Sequence, residues 1–475
     1  MRFLSCALIA FSFIGNAVAQ NAVLERATGR HWYGLYMNGQ KAGYSYSEIA
    51  VDDAGTVTVT DDASFKLNMV GLKQDMRIFS SRTYSASGDL VRIVSQVDDI
   101  SGRNSFEAVI RGETIELTSK VAGREKTVIY PRPNESLSDV LMRFELLSDH
   151  AEVGDSARFY MFEPMYEVEI EGRSEIIGIE TRLLDGVETE VFVVKTILDV
   201  MQIESVSYIT RDGTVLEDRI AGGIITMRLE PEEMAKDVDY ANDVIVSNAA
   251  RVDEKIENPR ERKEVRLQLT GPLKSVHLIN DERQSMIRRD EYIEFTGRRL
   301  SLDEFEPVSL PIRDEEVAEW LEPSMFVQSD APEMIAQARK IVGDETDALA
   351  VSTLLSDWVS DNMLSTFSAR LTNSLEVLEN LEGDCTEHSV LFVGLARAAG
   401  LPAREVAGLI YVDAPHTGFY FHQWASVWVG KWIDVDPTFN QPIADATHIK
   451  LAEGDLFEQT KLLPIIGRIE IEIAD

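Results

Sequence analysis

From His31 to about Leu229 apolar and polar positions alternate in short runs separated by Gly, Asp and Asn. A period of two puts one face of a strand against a core and the other in water, so this region reads as strands and turns. Trp32 to Tyr46 carries Asn38-Gly39 between two apolar, aromatic arms, the signature of a tight hairpin whose central residues need positive φ. Asp212-Gly213 marks another. The runs at 56–60, 65–69, 106–111, 166–171, 191–196, 206–210 and 224–229 are alternating or β-branched. One stretch, 136–148, departs from this pattern: Leu137, Val140, Leu141, Phe144 and Leu147 recur at helical spacing. The expectation is a large antiparallel β domain over 20–230 with one helix packed on its sheet.

The pattern then changes twice. Residues 231–262 are charged with few large apolar side chains and read as a linker. Short strands return at 265–269 and 292–295 around a Gly271-Pro272 turn, which suggests a small second β module over 263–325, packed beside the C-terminal region because it is small for independent stability. From 326 to 475 helical spacing dominates at first. Asp330 is positioned to cap a helix with Pro332 near its start and Gly343 just past its end, a second helix covers about 345–362 with Leu349, Leu354, Leu355 and Trp358 on one face, and a third covers 374–381. A fourth starts at Cys385, followed by strands at 404–411, 422–429 and 432–436, giving an α+β domain.

The 475 residues suggest roughly two to four domains. A content of 44% apolar and 27% charged residues describes a globular chain, and a net charge of −35 argues against nucleic acid or anionic lipid as partner. Residues 1–19 (Met1-Arg2, an apolar run over 3–15, then Ala17-Val18-Ala19) have the form of a cleavable secretory signal, which implies a periplasmic or secreted protein. Cys6 lies too early in the apolar run for a lipidation site, and no other stretch is long and apolar enough to span a bilayer. Export leaves Cys385 as the single cysteine, without a partner for an intramolecular disulfide.

That cysteine sits in Gly383-Asp384-Cys385-Thr386-Glu387-His388. Asp384 is a good N-cap, Glu387 completes a capping box, and Cys385 falls at the first helical position, where unpaired N–H groups and the helix dipole favour a thiolate. A nucleophilic thiolate needs a base to hold its proton, and that base needs a carboxylate to fix its tautomer. His422 and Asp436 fit these roles. A two-residue turn at Gly430-Lys431 would set Asp436 opposite Ala425, on the face away from His422, so a three-residue loop or a bulge, placing it opposite Trp424, is expected instead. His388, one turn along the cysteine's own helix, is the weaker candidate for base because its side chain would lie alongside that helix. Asp434 is the nearest rival carboxylate.

The blocks Gly-Asp-Cys-Thr-Glu-His (383–388), Leu-Ala-Arg-Ala-Ala-Gly-Leu-Pro-Ala-Arg (395–404), His-Gln-Trp (422–424) and Asp-Pro-Thr (436–438) resemble, in order and spacing, the core of the transglutaminase-like superfamily, over about 330–450. The resemblance implies a papain-like catalytic core with Cys385 as nucleophile, His422 as base and Asp436 as orienting carboxylate, and it selects Asp436 over Asp434. Gln423 stands where an alanine is more usual and is expected at the groove wall. An oxyanion hole would use the Cys385 N–H and a second donor, for which Trp358 is the one candidate. No metal ligands, phosphate loop or cofactor motif stand out, and His31, His150 and His277 read as structural, His416 and His448 as surface residues, Trp424, Trp428 and Trp432 as core or groove wall. The function expected is an exported thiol enzyme performing acyl transfer on peptide or protein amides, a peptidase or amidase or else a transglutaminase, with hydrolysis favoured. The alternative is an inactive envelope binding protein working through its β domains.

Overall fold

The computed structural model describes residues 20–474 apart from 70–71, 100–101, 122–123, 148–149, 185, 200–202, 241–242, 244–246, 274–276, 302–303, 325, 367–372, 415 and 455. The expected signal segment, 1–19 with Cys6, lies outside the described residues. Contacts divide the chain into two units, up to Asp243 and from Val244 onward.

The first unit is an antiparallel meander of fourteen strands. Its first strand, Gly29–Met37, forms the expected hairpin with Gln40–Val51 through Asn38 and Gly39, both at positive φ. Six further strands step outward to an edge at Arg124–Pro131. A second run steps back from Ser156–Glu163 to Ile225–Leu229, which pairs with the first strand, Tyr33 opposite Leu229. The expected helix spans Leu137–Leu146 with Ser136 and Asp139 forming a capping box, and buries Leu137, Val140, Leu141 and Phe144. Beneath it Arg82 is buried between Glu135 (3.0 Å) and Glu163 (3.4 Å), a guanidinium whose charge is fully answered.

The charged segment 231–262 is not a free linker. Glu232–Lys236 is a short helix of the first unit with Ala235 buried, while Ala250 and Ile256 are buried in the second unit, where Ala250–Arg251 pairs with a strand of the main sheet. Apolar side chains are few here, but Ala235, Val238, Ala250 and Ile256 each find a core, while Met234 stays exposed.

In the second unit, β1 (Glu264–Thr270), β2 (Gln284–Arg288) and β3 (Ile293–Arg298) form the strands expected of a separate small module. Their sheet is completed by β8 (Glu470–Ala474), the last strand of the chain, which pairs with β1. The helices are α1 (Pro332–Val342), α2 (Ala348–Asn362), α3 (Ser374–Asn380) and α4 (Cys385–Ala398), and the main sheet comprises β4 (Ala403–Val412), β5 (Gly418–Trp428), β6 (Trp432–Val435) and β7 (Ile449–Glu453). Leu267, Leu269, Phe295 and Ile471 share one core with Leu409, Phe419, Ile449 and Leu451 of the main sheet. The expected module is therefore a layer of the second unit rather than a body of its own: three strands are too few to bury both faces, and they share the burial of their apolar face with the main sheet. The helices pack in a second core with Ala403, Ala425, Val427, Ile433 and Val435. Helix α1 is capped by Ala331 rather than Asp330, with Pro332 in its first turn and Gly343 at its end, and α2 starts later than expected because Asp347 accepts from the Ala350 N–H.

Candidate active site

Helix α4 begins where the sequence placed it. Asp384 accepts from Thr386 N (2.8 Å), and Glu387 accepts from Asp384 N (2.9 Å) in the expected capping box. Gly383, at φ +154°, lets the chain turn into the helix: a Cβ there would come within 2.3 Å of the Glu387 Cβ. Cys385 thus occupies the first helical turn and is half-buried. Ser389, one turn on, reaches the carbonyls of Cys385 (2.7 Å) and Gln423 (3.0 Å), tying the cysteine helix to β5 beside His422.

The loop between β5 and β6 has three residues, closed by Trp428 opposite Trp432, and the register runs Val427 to Ile433, Ser426 to Asp434 and Ala425 to Val435. Continued by one residue, it sets Asp436 opposite Trp424, as the odd loop requires. His422 shares that face, its ring stacked on Trp424 at 5.9 Å. The His422 Nε2–H donates to Asp436 Oδ2 at 2.9 Å, and the other side of the ring meets the Cys385 thiol. Burial alone would lower the His422 pKa, but the charges of Asp436 and Cys385 and the hydrogen bonds to both outweigh it and raise it to about 9. Burial works to raise the Asp436 carboxyl, yet His422 and His448 hold it well below the usual carboxylate range. Its Oδ1 accepts from Thr438 N (2.9 Å) and Phe439 N (3.2 Å), so both oxygens are fixed.

Asp434, the rival carboxylate, is engaged elsewhere. It is buried between Arg283 (2.9 Å) and Lys450 (2.9 Å), whose charges overcome its desolvation and hold its pKa low. Arg283 also donates to the His448 carbonyl at 2.6 Å, so the β1–β3 sheet reaches directly behind the site. The other rival, His388, is buried on α4 with Nδ1 2.7 Å from the Asp384 carbonyl, and burial lowers its pKa. Gln423 is not a groove-wall residue. It is buried and donates to Glu405 at 2.7 Å, which also accepts from Gln459 (3.1 Å). Trp358 packs partly buried against the helical core.

The sequence reading missed His448. Far from being a surface residue, it is wholly buried, and its Nε2–H donates to Asp436 Oδ2 at 3.0 Å, the same oxygen that His422 uses. Its Nδ1 lies 3.3 Å from Asp445 Oδ1, and the two carboxylates outweigh burial and raise its pKa. Asp445 in turn pairs with Arg260 at 2.8 Å, and the Arg260 guanidinium covers the Phe439 ring at 4.9 Å. Phe439, 42% exposed, stands edge-on to His422 at 5.3 Å. The only trace in the sequence was an Asp445–His448 pair three residues apart before a short apolar strand. His422, Asp436 and His448 also bring one ligand atom each within 4.8 Å of the others, the three residues here that could share an ion. Both imidazoles already spend those nitrogens on the one carboxylate oxygen, so an ion would have to replace two protons.

The arrangement can hold a proton on His422 beside a thiolate while Asp436 keeps the ring oriented. The family model of the transglutaminase-like superfamily matches residues 335–437, a span containing all three residues. The chain carries a transglutaminase-like domain. A curated relative, an uncharacterized protein from Haemophilus influenzae, is 37% identical over 86 residues, 17% of this chain, and the match spans 23% of that relative's length. Among solved structures, a candidate cysteine protease from Cytophaga hutchinsonii aligns at 16% identity and TM-score 0.31, covering 44% of this chain and 83% of that one. A β-barrel-like protein of a domain of unknown function from Brucella abortus aligns at 11% and 0.34, over 42% of this chain and 94% of its own. A candidate protease from Parabacteroides distasonis aligns at 12% and 0.19, over 85% and 70%. No helix among the described residues is long and apolar enough to cross a membrane, and the transglutaminase-like domain lies wholly within the second unit.

Proposed function

We propose that this protein is an exported thiol enzyme, periplasmic or secreted, that performs acyl transfer on peptide or protein amides. Cys385 attacks the amide carbonyl. His422, protonated in the resting ion pair, gives its proton to the leaving amine, and a thioester forms on Cys385 as the C–N bond breaks. Water, deprotonated by the now neutral His422, attacks the thioester, the C–S bond breaks to release the acid, and the ion pair of thiolate and imidazolium is restored. The Cys385 N–H, in the first turn of α4, is one donor for the developing oxyanion.

The observation that carries this reading is an imidazole held by Asp436 at 2.9 Å on one nitrogen and in contact with a helix-starting thiol on its other side. A binding protein with no thiol chemistry would have no use for a half-buried cysteine beside a histidine whose pKa is raised to about 9. Hydrolysis is favoured over cross-linking because Cys385 is half-buried rather than sealed, and transfer to an amine must win against water at roughly 55 M. A glutamine-containing peptide library incubated with a dansylated amine tests the outcome. Free acid released in a Cys385-dependent manner, with only a minor share of dansylated product, is expected. Efficient amine incorporation with little acid would make the protein a transferase, and neither product would remove the reading.

A further inference from the structure

The inward faces of the strands in the first unit surround a cavity of about 140 Å³. Strand alternation delivers every second side chain to that face, and both halves of the meander contribute: Ser45 and Ser95 from the first, Ser207 and Asp218 from the second, with Arg143 and Phe144 from the helix Leu137–Leu146.

Two charges in this lining are unlike those that merely stabilise the fold. Arg82, on the same wall, is closed off by Glu135 and Glu163. Arg143 has no carboxylate within ion-pairing distance among the described residues. Its Nε is buried without a hydrogen-bond partner, its guanidinium lies over the Phe144 ring at 4.9 Å, and the charges of Asp61 and Asp218 in the same lining act on it from beyond ion-pairing distance. Asp218, 4% exposed, accepts from Ser207 at 2.8 Å and also from Ser205 and the Arg219 backbone, and it feels the Arg143 charge, but it has no cation within ion-pairing distance among the described residues. Burial pushes its carboxyl up to about 6. Ser95, 1% exposed, has a hydroxyl with no partner. A half-buried guanidinium with an unpaired Nε, a buried carboxylate with no ion-pair partner and an unpaired buried hydroxyl around one void would each gain from a ligand that answers them at closer range than they answer one another.

We propose that the cavity binds a small zwitterion, a free amino acid or a dipeptide, with its carboxylate on Arg143, its ammonium group facing Asp218 and its side chain among Phe144, Phe159 and Met161. The volume suits this class: 140 Å³ accommodates roughly ten water-sized groups. A simple fatty acid would leave Asp218 unanswered, and an amine alone would leave Arg143 so. The site is independent of the thiol chemistry proposed above.

Titration calorimetry on the full chain tests it with leucine, glycyl-leucine, leucinamide, N-acetyl-leucine and hexanoate as probes. Leucine or glycyl-leucine should bind at least tenfold more tightly than the probes lacking one charge. Arg143→Gln should weaken zwitterion binding at least tenfold. Asp218→Asn should reduce the advantage of leucine over N-acetyl-leucine, which keeps the proposal testable if the arginine variant does not fold. Cys385→Ala should bind as the wild type does, so failure here and failure of the enzyme reading are distinguishable. No heat with any probe at millimolar concentration, hexanoate binding as well as leucine, or unchanged binding in a folded Arg143→Gln protein would overturn it.

Discussion

Asp436 is the residue on which the site turns, because one of its oxygens accepts from both His422 and His448 and the other from two backbone N–H groups. Removing its charge while keeping its shape should therefore harm orientation and proton affinity together: Asp436→Asn is expected to lower kcat by about 10³-fold or more with a small change in KM, comparable with losses seen when a triad carboxylate is replaced. His448 acts one step further out. His448→Asn, which can still donate to Asp436 but carries no charge, should lower kcat modestly, about tenfold, and shift the alkaline limb of the rate profile to higher pH, because with one cationic neighbour fewer Asp436 holds the His422 proton more firmly. An unchanged profile would make His448 purely a packing residue. The sequence singled out Cys385, His422 and Asp436, which the fold brings together, because each stands in a motif with its own mechanical reason. It did not disclose His448, Asp445 or Arg260, whose roles depend on which loop residues the fold brings behind the sheet. His422 also makes stability depend on pH. Its pKa is about 9 in the folded protein against 6.5 when unfolded, so its contribution, on the order of 3 kcal/mol, is fully present below about pH 6.5 and lost as pH rises through about 9. Unfolding midpoints in denaturant at pH 6 and pH 10 should show that loss in the wild type and much less of it in His422→Asn.

At the scale of elements, the three-residue loop between β5 and β6 sets the register that lets Asp436 face His422, and Gly408 on β4 sits directly opposite His422. A Cβ on Gly408 would come within 1.9 Å of the Ile449 carbonyl oxygen, so Gly408→Ala must push β4 and β7 apart. It is expected to cost about 1–3 kcal/mol and to slow turnover through His422, with Cys385 still alkylated under denaturing conditions. Stability equal to wild type would mean the sheet absorbs the methyl group without strain. Strands and helices with strong periodicity were legible in the sequence, as was the loop parity, because a one-residue slip reverses every side chain. The start of α1 was read one residue early because an aspartate two residues before a proline looks like a cap whether or not its side chain bonds.

On the scale of the whole molecule, the sequence suggested three bodies and a linker where the structure has two units. Charged segments look like linkers in a sequence because pairing across long chain separations is invisible there. Arg283 pairs with Asp434, 151 residues away, and Arg260 with Asp445, 185 away. Arg283→Ala would leave a buried carboxylate with only Lys450 to answer it, and a loss of about 3 kcal/mol is expected by chemical denaturation. A loss under about 0.5 kcal/mol would mean that the β1–β3 sheet adds little behind the site. Limited proteolysis should cut within 239–249, between Val238, the last buried residue of the first unit among the described residues, and Ala250, rather than throughout 231–262. Resistance of that stretch would misplace the boundary.

The central claim, a thiolate on Cys385 held by the His422 imidazolium, is tested most directly by the rate of iodoacetamide modification of Cys385 at pH 6. The wild type should react rapidly and to one equivalent, His422→Ala should react as slowly as an ordinary thiol, and His388→Ala should keep the fast rate. A slow wild type, or fast reaction abolished by His388→Ala and not by His422→Ala, would contradict it.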